Sequence, residues 1–347
     1  MFRSARQSAL TIAVLVICMT TAFCHLSLTT HMVEPAIFYS FGAREPFIYR
    51  SLIPAIFRPL PIDFSVCSTH LNFPIGQCAD IAALLVDWLG LSFACFTLLV
   101  SFRTVGSNPR TTLHRPEIIV PVFLWMVLFN YILVPNKSFY YPYDFLQLFF
   151  FSGAIWLGVS GRAGSWALPL LTLVSALNKE DAVFIPVTSA IYAYWLGMLD
   201  RRVVLSFVAS VVLVFVAKYI DVEYIRTFVK VPVHPVLLEN HLRLNLQQLT
   251  NPLAWLAWPS AFGALLFLML WPLRRIHNLK VIVVGLILLW IAVVFLVGIA
   301  RQTRLMGPMI FPLALPVMLI LDSLLYEQGV DLAVNSAEAT GAPERKV

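Results

Sequence analysis

The sequence predicts an all-α polytopic membrane protein with about ten transmembrane helices (nine to eleven), and three observations carry that expectation. The 347 residues are 60% hydrophobic with a mean hydropathy of +0.83. Only 12% are charged, about half of what a water-facing surface requires. The length divides into spans of roughly 20 residues joined by short loops, and the apolar runs stand at roughly 9–29, 81–101, 118–134, 145–159, 165–177, 182–198, 203–219, 254–272, 281–299 and 306–325.

The first run follows Arg3 and Arg6 and has the length of a span without a small-x-small cleavage site, so it reads as an uncleaved first helix. The runs at 145–159 and 165–177 are short for the hydrocarbon core. They are separated by "SGRAGS" and read either as two spans or as one re-entrant pair. In both cases the chain returns to the side it left. The region 1–325 forms one transmembrane domain, and the small polar stretch 326–347 reads as a disordered cytoplasmic tail.

Basic residues orient the bundle. With the N-terminus inside, 13 of the 24 Lys and Arg fall in the shorter inner segments, among them the "DRR" and "LRRIHNLK" loops. Both termini are then cytoplasmic, and the two longest loops, about 30–80 and 220–253, face outward. The net charge of +6 is spread over short loops and gives no nucleic-acid signal. Cys67 and Cys78 flank a polar loop at a spacing equally compatible with a disulfide and with free thiols. No glycine-rich phosphate loop, HExxH pattern or CxxC pair occurs, so nucleotide-driven transport and zinc hydrolysis lack their usual signatures.

Unusual charges gather on the outer side. Carboxylates and basic residues there sit at span boundaries, where polar groups are costly unless they pair or line a cavity. The first outer loop reads "YSFGAREPFIYRSLIPAIFRPLP". It offers Glu45, or else Glu34, as a general base and Arg50 as an anion-binding group, and "SLIPAIFRPL" suits a helix lying in the interface. Asp144 opens the fourth span after Tyr143, where an ordinary helix cap explains it as well as a ligand role does.

The turn "NKED" carries Asn178, Lys179, Glu180 and Asp181. Capping accounts for an Asn or Asp there but not for Lys179 and Glu180 together, and Lys179 is a natural point charge for a phosphate. In "HPVLLENHLRLNLQQLTNP" the leucines recur on one helical face, which predicts an amphipathic surface helix with His241 as a minor ligand candidate. Arg301 and Arg304 stand just before the last span, where a helix N-terminus disfavours cations and an anionic ligand would favour them. Asp87 is intramembrane if the second span starts near 81, and a functional candidate on that ground.

Taken in order, Glu45 with "YRSLIP" at 49–54, Tyr143-Asp144, Asn178-Lys179-Glu180 and Thr303-Arg304 resemble a motif set of bacterial multi-span proteins. That set is similar to the GT-C superfamily of membrane glycosyltransferases. The resemblance runs from about residue 9 to 325, through short motifs in a fixed order. It implies a GT-C-like bundle with interfacial helices in the first outer loop, in a bacterial inner membrane, with the site facing the periplasm.

It also implies transfer of a hexosyl or pentosyl group from a polyprenyl-phosphate-linked donor to an envelope glycan, lipid or protein. Glu45, with Glu34 as second choice, would be the base. Arg50, Lys179, Arg304 and Arg301 would hold the lipid phosphate. Asp144, Glu180, Asn178, Tyr143 and His241 would orient the sugar or fix those cations. Membrane lipids and envelope-biosynthesis proteins are the implied partners. No cofactor and no metal site is implied, though a divalent metal is compatible with the chemistry. The sequence lacks the adjacent acidic pair that many GT-C enzymes carry in the first outer loop. The same outer cations also fit a transporter or flippase of an anionic lipid or polyprenyl-linked sugar, or a non-catalytic subunit of an envelope-polymer assembly.

Overall fold

The computed structural model describes residues 2–31, 50–57, 78–106, 114–133, 139–141, 143–224, 242–248, 261–272, 276–297 and 303–340, with positions 227, 250 and 251. Side chains within these are described except at 2–7, 30–31, 78–80, 139–140, 180, 244, 248, 297, 303–304 and 327–340. Glu34, Glu45, Cys67, His241 and Arg301, singled out above, lie outside the described residues. Glu180 and Arg304 are described by their backbone alone.

The described chain is almost entirely helical. Its helices are α1 (Phe2–Leu28), α2 (Leu52–Phe57), α3 (Cys78–Gly106), α4 (Ile119–Val127), α5 (Asp144–Val159), α6 (Ala167–Asn178), α7 (Phe184–Trp195), α8 (Arg201–Tyr224), α9 (Leu242–Gln248), α10 (His277–Val297) and α11 (Gly307–Thr340). Five segments are long and apolar enough to cross a membrane: Ser8–Leu28, Ile81–Gly106, Arg201–Tyr224, His277–Leu296 and Gly307–Tyr326. Shorter apolar helices accompany them, among them Asp144–Val159 and Ala167–Asn178. This is the architecture of an all-α membrane protein.

Burial sorts the long helices. Within the span of α11 78% of the residues are buried, against 28% in those of α8 and α10. The α11 stretch from Met309 to Ile320 is therefore the centre of the bundle, while α8 and α10 turn Val208, Phe215, Leu288 and Leu289 outward. In water such a surface would aggregate; against lipid it is the expected one.

Glycines set the close helix approaches. A Cβ on Gly90 of α3 would meet the Phe145 carbonyl of α5 at 2.8 Å, and one on Gly158 of α5 would meet the Ser189 carbonyl of α7 at 2.6 Å. Such small-residue contacts bring backbones together where no hydrophobic effect drives helices into each other. Across the α1–α3 seam Trp88 Nε1 donates to the Leu15 carbonyl at 3.1 Å, and the Cys18 and Cys95 sulfurs touch at 3.7 Å.

Three regions depart from the sequence expectation. The run at 118–134 is broken into a 3₁₀ turn (Pro116–Ile118), α4 and a π-type turn (Leu128–Ile132). There Asn130 Nδ2 donates to the Met126 carbonyl, and the Leu133 amide reaches back five residues to the Leu128 carbonyl at 2.8 Å. Within 254–272 the described part, Ala261–Leu270, is a 3₁₀ run opening on left-handed residues, with Phe262 at φ 62° and Ala264 at φ 65°. The Trp125 indole holds that turn by donating to the Gly263 carbonyl at 2.9 Å. Finally, α11 continues through Thr340, so the segment 326–340 assigned to a disordered tail is helical.

Candidate functional site

Helix ends from separate parts of the sequence meet at one end of the bundle. α1, α6 and α8 finish there, and α3, α5 and α7 begin there. A two-residue parallel bridge, Thr30–His31 with Phe139–Tyr140, ties the end of α1 to the approach of α5. Helix polarity favours acidic groups at N-terminal ends and basic groups at C-terminal ends. Asp144 lies in the first turn of α5, Asp181 in the 3₁₀ turn Glu180–Val183 that leads into α7, and Lys179 directly follows α6 in an extended conformation at φ −159°.

These three side chains form one buried ion cluster. Lys179 Nζ lies 2.9 Å from Asp144 Oδ1 and 3.3 Å from Asp181 Oδ2. The lysine is 4% exposed and Asp144 is fully buried. The lysine expected as a point charge for phosphate is thus held between two carboxylates. Asp144, for which a capping role was open, directly follows the N-cap residue Tyr143, whose side chain makes no cap bond; the Asp144 carboxylate pairs with Lys179.

Amides extend the cluster one turn deeper. Gln147 Nε2 donates to Asp181 Oδ1 at 2.7 Å. Gln147 Oε1 accepts from Asn178 Nδ2 at 2.9 Å and from Ser175 Oγ at 3.1 Å. Asn178 Nδ2 also donates to the Tyr143 carbonyl at 3.1 Å. Gln147 and Ser175 were not singled out in the sequence, because single polar residues inside apolar runs give no periodic signal.

Arg50 joins from the first long loop. Its guanidinium carbon stands 4.3 Å from the centroid of the Tyr143 ring, and the residue is 5% exposed. The next residue, Ser51, donates to Asp221 Oδ1 near the end of α8, where Lys218 Nζ also pairs with Asp221 Oδ2 at 3.2 Å. The motifs "YR", "YD" and "NK" are therefore in contact through Arg50, Tyr143, Asp144, Asn178 and Lys179.

On the other side of Phe145 lies a second polar pair. His25 Nδ1 is 2.9 Å from Asp87 Oδ2, both side chains being fully buried. The imidazole stacks on Phe145 at 4.3 Å and meets the edge of Tyr131 at 6.2 Å. Because α3 starts at Cys78, Asp87 is well inside the helix and within its apolar stretch Ile81–Gly106. His25 was missed; its signal is its level near the end of the first span, within reach of an acid that needs a partner.

The start of the last helix also belongs to this end, since a Cβ on Gly307 would fall within the Tyr131 side chain. The amphipathic helix expected in the 220–253 loop is present as α9, but its orientation differs. Asn245 faces in and donates to the Phe295 carbonyl at 2.7 Å, while Leu246 is exposed.

Among the described residues no group of three or more His, Cys, Asp or Glu is placed to hold a metal ion. Chemically, the arrangement offers carboxylate and amide acceptors around one lysine, with a guanidinium stacked on an aromatic ring beside them. Compared with known proteins, the chain matches no family model, no curated protein and no solved structure.

Proposed function

We propose that this protein is a GT-C-like membrane glycosyltransferase of about ten spans, moving a sugar from a polyprenyl-phosphate-linked donor to an envelope acceptor. In this reading it lies in a bacterial inner membrane, with both termini cytoplasmic and the site on the periplasmic side. The observation that supports it is the meeting of Arg50, Tyr143-Asp144 and Asn178-Lys179 in one buried cluster. Those residues come from three of the four motifs that carry the resemblance.

The five long apolar helices would be completed as spans by the shorter ones. At 1.5 Å per residue the 16-residue α5 is about 24 Å long. That is short of a core of about 30 Å, and the polar cluster at its end accounts for the shortfall.

Inverting transfer needs a base to remove the acceptor hydroxyl proton as its oxygen attacks the anomeric carbon. The bond from that carbon to the lipid phosphate oxygen breaks, and cations stabilise the charge left on the phosphate. Glu45 is the proposed base. It lies five positions before Arg50, at most roughly 17 Å along the chain, so the two act at the same end of the bundle. Arg50, with Arg304 and Arg301 from the loop before α11, serves the phosphate. Lys179 fixes Asp144 and Asp181 as acceptors.

The test is transfer of labelled sugar from a polyprenyl-phosphate donor by Glu45→Gln. Transfer is expected to fall at least 100-fold, the usual contribution of a general base, with donor lipid still bound. Unchanged turnover in both Glu45→Gln and Glu34→Gln contradicts the assignment.

The buried His25–Asp87 pair favours one alternative, proton-coupled movement of the same anionic lipid, because intramembrane titratable pairs recur in proton relays. Under that reading Asp87→Asn abolishes lipid movement, and Glu45→Gln leaves it unchanged.

A further inference from the structure

At the end of the bundle opposite the polar cluster, where α5 and α7 finish and α6 and α8 begin, lies a cationic patch that the proposed chemistry does not use. Two turns build it. Gly161 ends α5 at φ 72° and Gly197 follows α7 at φ 73°. The residues after them, Arg162 and Met198, reach back to the Leu157 and Ala193 carbonyls at 3.0 and 2.8 Å, a glycine-terminated helix end in each case. The two turns then interlock. A Cβ on Gly164 would meet the Arg202 Cβ at 2.9 Å, and Ser206 Oγ donates to the Ser165 carbonyl at 3.1 Å. Arg162, Arg201 and Arg202 are thereby gathered at one place.

All three arginines are exposed, and among the described residues no carboxylate pairs with them. The acid next in sequence, Asp200, accepts from the Val203 amide at 2.8 Å and so caps α8. Arg201 and Arg202 open that helix, where its polarity disfavours cations. An anion is what the patch lacks.

The surroundings select the kind of anion. The Arg162 guanidinium folds back over the Trp156 ring, 5.1 Å from its centroid, and so stands beside the last turns of α5. Next to the arginines the surface turns apolar. Trp166 is 82% exposed, and Leu170 follows it one turn along α6. On α8, Leu205 and Val208 are exposed on the same face as Arg201. Cations heading a continuous apolar face complement an acyl lipid with an anionic head; a soluble anion would use only half of that surface.

We propose that this patch binds an anionic phospholipid, its phosphate held by Arg162, Arg201 and Arg202 and its acyl chains lying along Trp166, Leu170, Leu205 and Val208. Guanidinium groups suit phosphate oxygens through paired donors, and basic sites between spans take such headgroups. The site is independent of the reaction proposed above and of the leaflet it faces.

The test is native mass spectrometry of the full-length protein in detergent, titrated with dioleoyl phosphatidylglycerol or dioleoyl phosphatidylcholine. Phosphatidylglycerol is expected to bind at least about five-fold tighter, the factor for one basic residue near an anionic headgroup. Raising the ionic strength should weaken that preference. Replacing the three together (Arg162→Gln, Arg201→Gln, Arg202→Gln) should erase it. Arg103→Gln, which removes a charge paired with Glu117 at 3.6 Å, should preserve it. Glycerophosphoglycerol, the same headgroup without acyl chains, should not displace the lipid at equal concentration. Equal affinity of the wild-type protein for both lipids overturns the inference without recourse to any variant. A preference that survives the triple substitution overturns it as well, and so does one lost equally in Arg103→Gln, which would reduce the patch to overall charge. Displacement by glycerophosphoglycerol would make this a site for a soluble anion and overturn the lipid assignment.

Discussion

At the residue scale, the charges that looked extravagant in so apolar a chain are stabilised by one another. Lys179 is buried between Asp144 and Asp181, and removal of one member of such a set leaves an uncompensated buried charge. Lys179→Met, which strands two carboxylates together, is expected to lower stability by about 3–5 kcal/mol. Asp144→Asn, which leaves the lysine its second partner, should cost less. Thermal unfolding of the purified variants in detergent checks the order; equal and small losses would show that the cluster does not hold the helix ends together.

Part of this was legible in the sequence. Asp144 and the "NKED" turn stood out because charge at a span boundary is expensive. Gln147, Ser175 and His25 did not, because their partners lie 34, 28 and 62 positions away and no local pattern encodes a pairing at that separation. The role read into Lys179 shifted for the same reason: Asp181 is its neighbour in the turn, but its closer acid, Asp144, lies 35 positions away on α5.

At the element scale, helix positions were read well and helix quality less so. The runs at 145–159 and 165–177 emerge as Asp144–Val159 and Ala167–Asn178, because long apolar segments flanked by polar turns leave little freedom in where a helix starts. The π-type turn after α4 and the left-handed turn at 262–264 were not legible. Both depend on tertiary contacts, the second on the Trp125 indole.

Packing at this scale yields a matched pair of substitutions. Gly90 faces the backbone of Phe145 and Leu146 within 2.9 Å of a built Cβ, whereas Gly285 on α10 has nothing within 4 Å. Gly90→Ala should force α3 from α5 and lower stability by about 1–3 kcal/mol. Gly285→Ala should be neutral or stabilising by up to about 1 kcal/mol. Equal Tm values for the two variants would contradict the close α3–α5 seam on which the placement of Phe145, and with it His25 and Asp144, depends.

At the scale of the whole molecule, the sequence carried the fold class in its hydropathy, and its basic loops set an expected orientation. Sidedness can be read by thiol labelling in a background lacking the five native cysteines. Ser165→Cys, at the exposed turn between α5 and α6, should react with a membrane-impermeant reagent only after permeabilisation. Thr250→Cys, exposed beyond α9, should react in intact cells. The reverse pattern would put the polar cluster on the cytoplasmic face and remove the basis for a periplasmic site.

The central claim is that the end of the bundle where Arg50, Asp144 and Lys179 meet binds a polyprenyl-phosphate-linked lipid. Native mass spectrometry of the protein extracted from its own membrane, beside Arg50→Ala, tests it most directly. A co-purifying polyprenyl phosphate or its sugar adduct, present in the wild-type protein and lost in the variant, is the predicted result. Only generic phospholipid, equally abundant in both, would contradict it.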